Sequence, residues 1–353
     1  MPAAPEILLA IHGSFYIMDE IFKCFDLRGR TSMNALINTV TGTVVPGELG
    51  PTLMHEHMFV QYGGPSAEYC RPGRPRDEAV ADCMEYISQI KSHGVESLVD
   101  PTTVDLGRNA PLLAEIASKT GFNIICCTGI YSTATYVRLR ERLGGSPEAV
   151  ADMFVRELTE GIGDTGVKAG FIKVVSSAPV IRPDEHELLL AAAHASVATG
   201  APIITHTDGV LGDEQQRIFT AAGVPAHRIV IGHSCTSTSF AYHHGIVQGG
   251  SYLGFDQIGM ETVLPDEVRV DSMLKLIHAG WASRIMISHD SVWHWVGGPR
   301  MGTGQHKNWK PTNFFERIVP MLYYGGATDE HIQTMLWDNP RRFFAGEPTS
   351  PIA

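Results

Sequence analysis

Long apolar runs are missing from this chain of 353 residues; none reaches the roughly 18 consecutive residues that a membrane-spanning helix needs. Basic charge is scarce, with 27 Lys and Arg against 38 Asp and Glu and a formal net charge of −11. A nucleic-acid binder would normally show a basic face, so that class is set aside. The six cysteines (Cys24, Cys70, Cys83, Cys126, Cys127, Cys235) form no CxxC pair. That argues against a disulfide framework and for free thiols in a reducing, cytoplasmic compartment. No basic residues precede the apolar stretch Ile7–Ile11, and no clear small-residue cleavage site follows it, so a secretory signal is not expected. Low-complexity tracts and internal linkers are also lacking. Residues 1–32 therefore read as an N-terminal extension of unassigned role, 33–345 as a single domain and 346–353 as a short tail.

What the chain has is 44% hydrophobic residues, enough for a sizeable core, and 16 histidines. Short β-rich apolar runs recur at Thr52–Val60, Ser97–Thr103, Asn123–Tyr131, Gly170–Ser176, Pro202–Asp208, Ile229–Cys235, Tyr252–Ile258 and Ile285–Ser291. Helical patterns separate them, at Asp77–His93, Asn109–Lys119, Pro147–Ile162, Asp184–Thr199, Asp213–Ala222, Ser239–Val247 and Val268–Ala279, with Phe314–Tyr323 following the last run. Ser146-Pro147 is a cap followed by a first-turn proline, and Gly121 and Gly200 stand where helices should stop. Eight such units predict an α/β fold, a (β/α)8 TIM barrel with its active site at the C-terminal ends of the strands. A doubly wound open sheet is the alternative. Val40–Leu49 is expected to form a short hairpin under the barrel, and Trp293–Pro311 a long aromatic loop with a functional role.

Ionisable residues gather at the ends of five runs. His55 and His57 lie two apart in the first, so both can face the barrel axis while Glu56 faces the helices. Lys173, His206, His233 and Asp290 end four others, whereas alternation turns His289 away from Asp290. Four histidines and an aspartate suit divalent cations such as zinc or manganese, and five ligands are too many for one catalytic zinc. They suit two ions about 3.5–4 Å apart. Lys173 is flanked by apolar residues, where a cation is costly; carboxylation of its amine would give an anion able to bridge both ions. Asp290 is placed to accept a proton, and Asp256, ending the seventh run, to orient or relay it.

The motifs Gly50-Pro51-Thr52-Leu53-Met54-His55-Glu56-His57, Ile172-Lys173-Val174, Thr205-His206-Thr207, Ile231-Gly232-His233 and Ser288-His289-Asp290 resemble the phosphotriesterase-like branch of the amidohydrolase superfamily. Asp100-Pro101-Thr102, Thr128-Gly129-Ile130-Tyr131, Gly254-Phe255-Asp256 and Asp338-Asn339-Pro340-Arg341-Arg342 extend the likeness over about Asn38 to Phe344. The resemblance implies that His55, His57 and Asp290 hold the more buried ion and His206 and His233 the more exposed one. Carboxylated Lys173 and a hydroxide nucleophile would bridge them. The ions implied are two zinc, with Co, Mn or Fe as substitutes. It further implies a hydrolase of small molecules: lactones first with side activity on phosphotriesters, then organophosphate triesters alone, then N-acyl amides. Tyr131 falls where the lactonases set a tyrosine against the substrate carbonyl. Gln257 stands where many of them carry arginine. Asp256, Gln257, Trp293 and His294 join Tyr131 as candidate pocket residues. A homodimer is an assembly open to such barrels, and a non-catalytic metal-containing binding protein is the alternative from another class.

Overall fold

The computed structural model describes residues 36–349. The extension assigned to residues 1–32 and the last four residues of the tail lie outside that range. The chain begins with an antiparallel hairpin, β1 (Ile37–Thr39) and β2 (Gly42–Val44), in the register Ile37↔Val44. The hairpin thus starts earlier than Val40, because Val40-Thr41 makes its turn, and Pro46–Glu48 forms a 3-10 turn instead.

Strands β3 (Thr52–Leu53), β5 (Ser97–Asp100), β6 (Asn123–Gly129), β7 (Phe171–Val175), β8 (Ile203–His206), β9 (Ile229–Ile231), β10 (Tyr252–Phe255) and β11 (Ile285–Ile287) are parallel neighbours in chain order. Helices run between them, among them Arg74–Lys91, Pro147–Thr159 and Pro183–Thr199. Ser146 caps the second, accepting from Ala149 N at 3.3 Å, and Gly200 ends the third at φ 76°, a left-handed conformation that suits glycine. The ring closes where the first and eighth strands meet. Met54 N donates to Ile287 O at 3.0 Å and Asp290 N to His55 O at 2.9 Å. Beyond those bonds, β4 (Glu56–Val60) pairs in parallel with β12 (Ser291–Trp295). The eight-stranded barrel is therefore present, with its first and last strands each broken in two. The long loop expected from Trp293 begins as strand, since β12 carries the ladder to Trp295.

Every strand sends an apolar side chain inward. Met54, Val99, Ile125, Phe171, Ile204, Val230, Tyr252 and Met286 form one buried cluster, plugged at the N-terminal end by Ile37, Leu49, Phe343 and Phe344. A second, larger cluster lies between strands and helices. With both faces of the sheet dry, uncompensated polar groups are costly inside it, and the ionisable ones collect at the open, C-terminal rim.

Candidate metal centre

His55, His57, Lys173, His206, His233 and Asp290 face one cleft that opens to solvent at that rim. Three Nε2 atoms turn toward the same carboxylate: His55 at 3.3 Å and His57 at 3.1 Å from Asp290 Oδ1, and His233 at 3.8 Å from Oδ2. The His206 ring lies edge-on to His233, 4.4 Å between centroids. Lys173 Nζ, 1% exposed as a residue, donates to Thr205 O at 3.0 Å. Burial pulls its pKa down to about 8, against the pull of the Asp256 and Asp290 charges.

Asp256 explains how the imidazoles are held. Its Oδ2 lies 3.0 Å from His55 Nδ1 and its Oδ1 3.0 Å from His233 Nδ1, while Oδ1 also accepts from His233 N at 2.8 Å. Burial works against an ionised Asp256, but the charges and hydrogen bonds of His233 and His55 keep it well below the usual carboxylate range. An ionised carboxylate accepts only, so both rings donate from Nδ1 and keep the Nε2 lone pair for a cation. The His57 ring is held differently, with Nδ1 2.8 Å from Thr102 Oγ1. Two donor groups are compact enough for a cation: His55, His57 and Asp290, and His55, His233 and Asp256. The first is the better candidate, since Asp256 already occupies the Nδ1 side of its two rings.

Burial, with His233 and Lys173 adding to it, lowers the His206 pKa to about 4, so this ring is neutral at ordinary pH. His206, its Nε2 3.7 Å from Asp208 Oδ1, in turn takes Asp208 down to about 2. Desolvation works against an ionised Asp290, yet the His55 and His233 charges hold it well below the carboxylate range. Two candidate ligands also sit on unusual backbone, His233 at φ 56° and Asp290 at φ 53°. Among the described residues only Leu211 joins them as a non-glycine with positive φ. Such conformations cost free energy and cluster at functional sites.

The expected pocket residues divide. Tyr131 lines the cleft, its ring 5.0 Å from that of His206 and edge-on. Burial, then the Asp290 charge, raises its pKa well above the ordinary phenol value. Gln257 touches the centre from the side, donating from Nε2 to Asp290 Oδ2 at 3.0 Å. Trp293 and His294 turn toward the helix Arg74–Lys91. The Trp293 ring packs 5.6 Å from Tyr86, and His294 Nδ1 lies 2.7 Å from Asp82 Oδ2. Their places on the wall are taken by Trp295 and Trp309, with Tyr62, Val60, Leu106, Met260 and Val292. Trp309 is fixed by its Nε1 donating to His289 O at 2.9 Å. His289 faces away from the cleft, its Nδ1 2.7 Å from Glu56 Oε1.

Comparison with known proteins identifies the arrangement. Residues 35–344 match the sequence profile of the Phosphotriesterase family. The chain belongs to the phosphotriesterase family. It is 37% identical over 317 residues to a phosphotriesterase homology protein of Mycobacterium tuberculosis, covering 87% of this chain and 97% of that one. It is 34% identical over 308 residues to the aryldialkylphosphatase of Saccharolobus solfataricus, covering 84% and 96%. A variant of the phosphotriesterase-like lactonase of Deinococcus radiodurans superposes with a TM-score of 0.80 at 36% identity, over 87% of this chain and 99% of that one. As a member of the phosphotriesterase family the chain is a hydrolase with a (β/α)8 barrel. Two features of this hydrolase escape residue patterns: the Thr102 contact to His57 and the split role of Asp256. A hydroxyl or carboxylate one strand away from a histidine has no sequence spacing to betray it.

Proposed function

We propose that this phosphotriesterase-family hydrolase is a lactonase with side activity on phosphotriesters, working at two divalent cations, zinc foremost with Co, Mn or Fe as substitutes. His55, His57 and Asp290 would hold one ion and His206 and His233 the other, with Lys173, carboxylated on Nζ, as a further anionic ligand. The donor chemistry fits. Asp256 and Thr102 take the Nδ1 side of His55, His233 and His57, so each Nε2 turns toward the Asp290 carboxylate, and a buried amine with a pKa near 8 has a neutral fraction able to add CO2. When bound, such a pair supplies hydroxide near neutral pH and polarises an ester-type oxygen.

The chain's own residues do the rest. Asp290, kept ionised by its histidine neighbours, accepts the proton released as the nucleophile adds. Asp256 and Thr102 hold the imidazole rings in orientation. The Tyr131 phenol stays protonated and donates to the substrate carbonyl as charge develops there. The aromatic and aliphatic walls exclude water and favour neutral substrates, since Lys173 is the one Lys or Arg among the described residues lining the cleft.

The observation that carries the reading is the convergence of six donors from five strand ends on one cleft whose wall includes Tyr131. The test is side-by-side turnover of a lactone panel, dialkyl aryl phosphates and N-acyl amino acids by metal-loaded protein. A lactone rate no better than background defeats the first choice. A dedicated organophosphate triesterase is the second reading, supported by the similarity to an aryldialkylphosphatase; an N-acyl amide hydrolase is the third. A complete donor set argues against a non-catalytic binding protein. The single domain over residues 33–345 is part of the same proposal, supported by the extent of the family match. So is a reducing, cytoplasmic setting, supported by five free cysteines among the described residues.

A further inference from the structure

Tyr131 does not owe its place to its own strand. The strand β6 ends at Gly129, and the last bond from this segment to the neighbouring strand is that of Ile130 N to Lys173 O at 3.0 Å. What catches the chain beyond that bond is a carboxylate from the preceding loop. Asp105 lies in the short turn Val104–Leu106 after β5. Its Oδ1 accepts from Tyr131 N at 3.1 Å and from Thr103 Oγ1 at 2.6 Å, and its Oδ2 accepts from Ser132 N at 2.7 Å. The backbone carbonyl of the same residue accepts from Gly63 N at 3.1 Å, beside Tyr62 on the cleft wall. Two consecutive N–H groups on one carboxylate fix the backbone on both sides of the Tyr131 side chain. The bonds are charge-assisted and so about twice as strong as neutral ones.

We propose that Asp105 is a positioning residue for Tyr131, holding the phenol over the cleft against His206 so that it meets the substrate oxygen. This rests on the lactonase reading of Tyr131, but the positioning can be tested apart from it. Asp105 lies outside the residues lining the cleft, so it touches no substrate; it acts on Tyr131 through the backbone it holds and, as the last of several charges, by helping to keep the phenol protonated. Removing the carboxylate frees the Tyr131–Ser132 backbone, whereas the carbonyl bond to Gly63 belongs to the main chain and survives substitution.

The experiment is a double-mutant cycle on the metal-loaded, full-length enzyme: Asp105→Ala, Asp105→Asn, Tyr131→Phe, and Asp105→Ala with Tyr131→Phe, each assayed with a γ-lactone. Asp105→Ala is expected to lower lactone kcat/KM by about tenfold or more, mostly through kcat, as small misplacements of an acting group do. Asp105→Asn, which keeps one accepting oxygen, should recover part of the loss. In the Tyr131→Phe background Asp105→Ala should cost nothing further. A full multiplicative loss in that background overturns the proposal. The second readout is 19F NMR of protein carrying fluorotyrosine, with the Tyr131 signal assigned by its absence in Tyr131→Phe. Asp105→Ala should shift or broaden that signal while metal content stays near wild type and the protein stays folded at the assay temperature; an unmoved signal also overturns the proposal. If Tyr131→Phe leaves lactone turnover unchanged, the lactonase role of Tyr131 fails, and the fluorine signal alone decides whether Asp105 positions it.

Discussion

Replacing Lys173 by methionine should make the metal-free protein more stable at neutral pH while abolishing hydrolysis once metal is restored. The side chain is 1% exposed, and burial takes its pKa from 10.5 to about 8 even with Asp256 and Asp290 pulling the other way. That difference corresponds to roughly 3 kcal/mol against the charged form in the folded state. Methionine removes the charge but also the bond from Nζ to Thr205 O, at 3.0 Å, which costs about 1 kcal/mol. The balance is a gain of about 2 kcal/mol. Its sign depends on pH. Below about 8 both folded and unfolded lysine are charged, and the folded state carries the whole penalty. Between 8 and 10.5 the unfolded chain binds more protons than the folded one, so wild-type stability climbs with pH. Above 10.5 the penalty has gone and the variant is the less stable protein. Urea midpoints of chelator-stripped wild type and Lys173→Met, followed by circular dichroism in CO2-free buffers from neutral to strongly alkaline pH, measure this directly. A variant less stable at neutral pH, or a gap that ignores pH, would refute the claim that the buried ammonium is uncompensated.

Other sites give independent checks. Asp256→Asn leaves an amide that can accept on only one side, so one of the His55 and His233 rings loses its Nδ1 partner; metal affinity by chelator competition should fall about 10–100-fold with little change in the melting curve. Glu56→Ala strips the acceptor from Ser288, His289 and Ser291 in a dry site and should cost about 3 kcal/mol or more, read as a lower urea midpoint. Burial raises the Cys126 thiol to about 12 and Cys235 to about 11, so neither forms thiolate at pH 8; brief iodoacetamide treatment and mass spectrometry should find Cys70, which is exposed, labelled well ahead of both.

The barrel could be read from the chain because each strand is buried on both faces and must be apolar, a signal that survives in composition alone. The candidate ligands could be read because polar residues at the ends of such strands stand out: His55, His57, Lys173, His206, His233 and Asp290 all reach the cleft. The walls could not. Trp293, His294 and Trp295 are adjacent aromatics with equal claim on a pocket, and which of them faces it depends on the register β12 takes against β4. That register puts Val292 opposite His57 and Trp295 opposite Val60, all four on the cleft. No local pattern encodes it, because it is set by how the barrel closes. Asp105 was invisible for a related reason. Its partners, Tyr131 and Ser132, lie 26 and 27 residues on, and a bond to backbone N–H leaves no trace in side-chain identity.

Closure is also where stability and chemistry meet. His55 and Asp290 sit at the gaps between β3 and β4 and between β11 and β12, just where the parallel ladder is interrupted. A broken ladder strands backbone N–H groups in the interior, which is costly unless something else accepts from them. Side chains do so here. Ser288 Oγ accepts from His55 N at 2.9 Å, and Glu56 accepts from His289 N at 3.0 Å and Ser291 N at 3.3 Å. Glu56 also takes the hydroxyls of Ser288 and Ser291 and faces His289 Nδ1. With the seam satisfied by side chains, Asp290 is free to adopt its left-handed φ of 53° and swing its carboxylate to the two imidazoles across the gap. The alternation that turns His55 and His57 toward the cleft must turn Glu56 the other way, so the candidate ligand pair and the clasp behind it are two faces of one strand. A substitution at Glu56 should therefore lower metal affinity as well as stability, although the residue touches no candidate ligand side chain. Weakened metal binding in Glu56→Gln at temperatures where the variant is fully folded is the measurement that separates this coupling from a purely structural role.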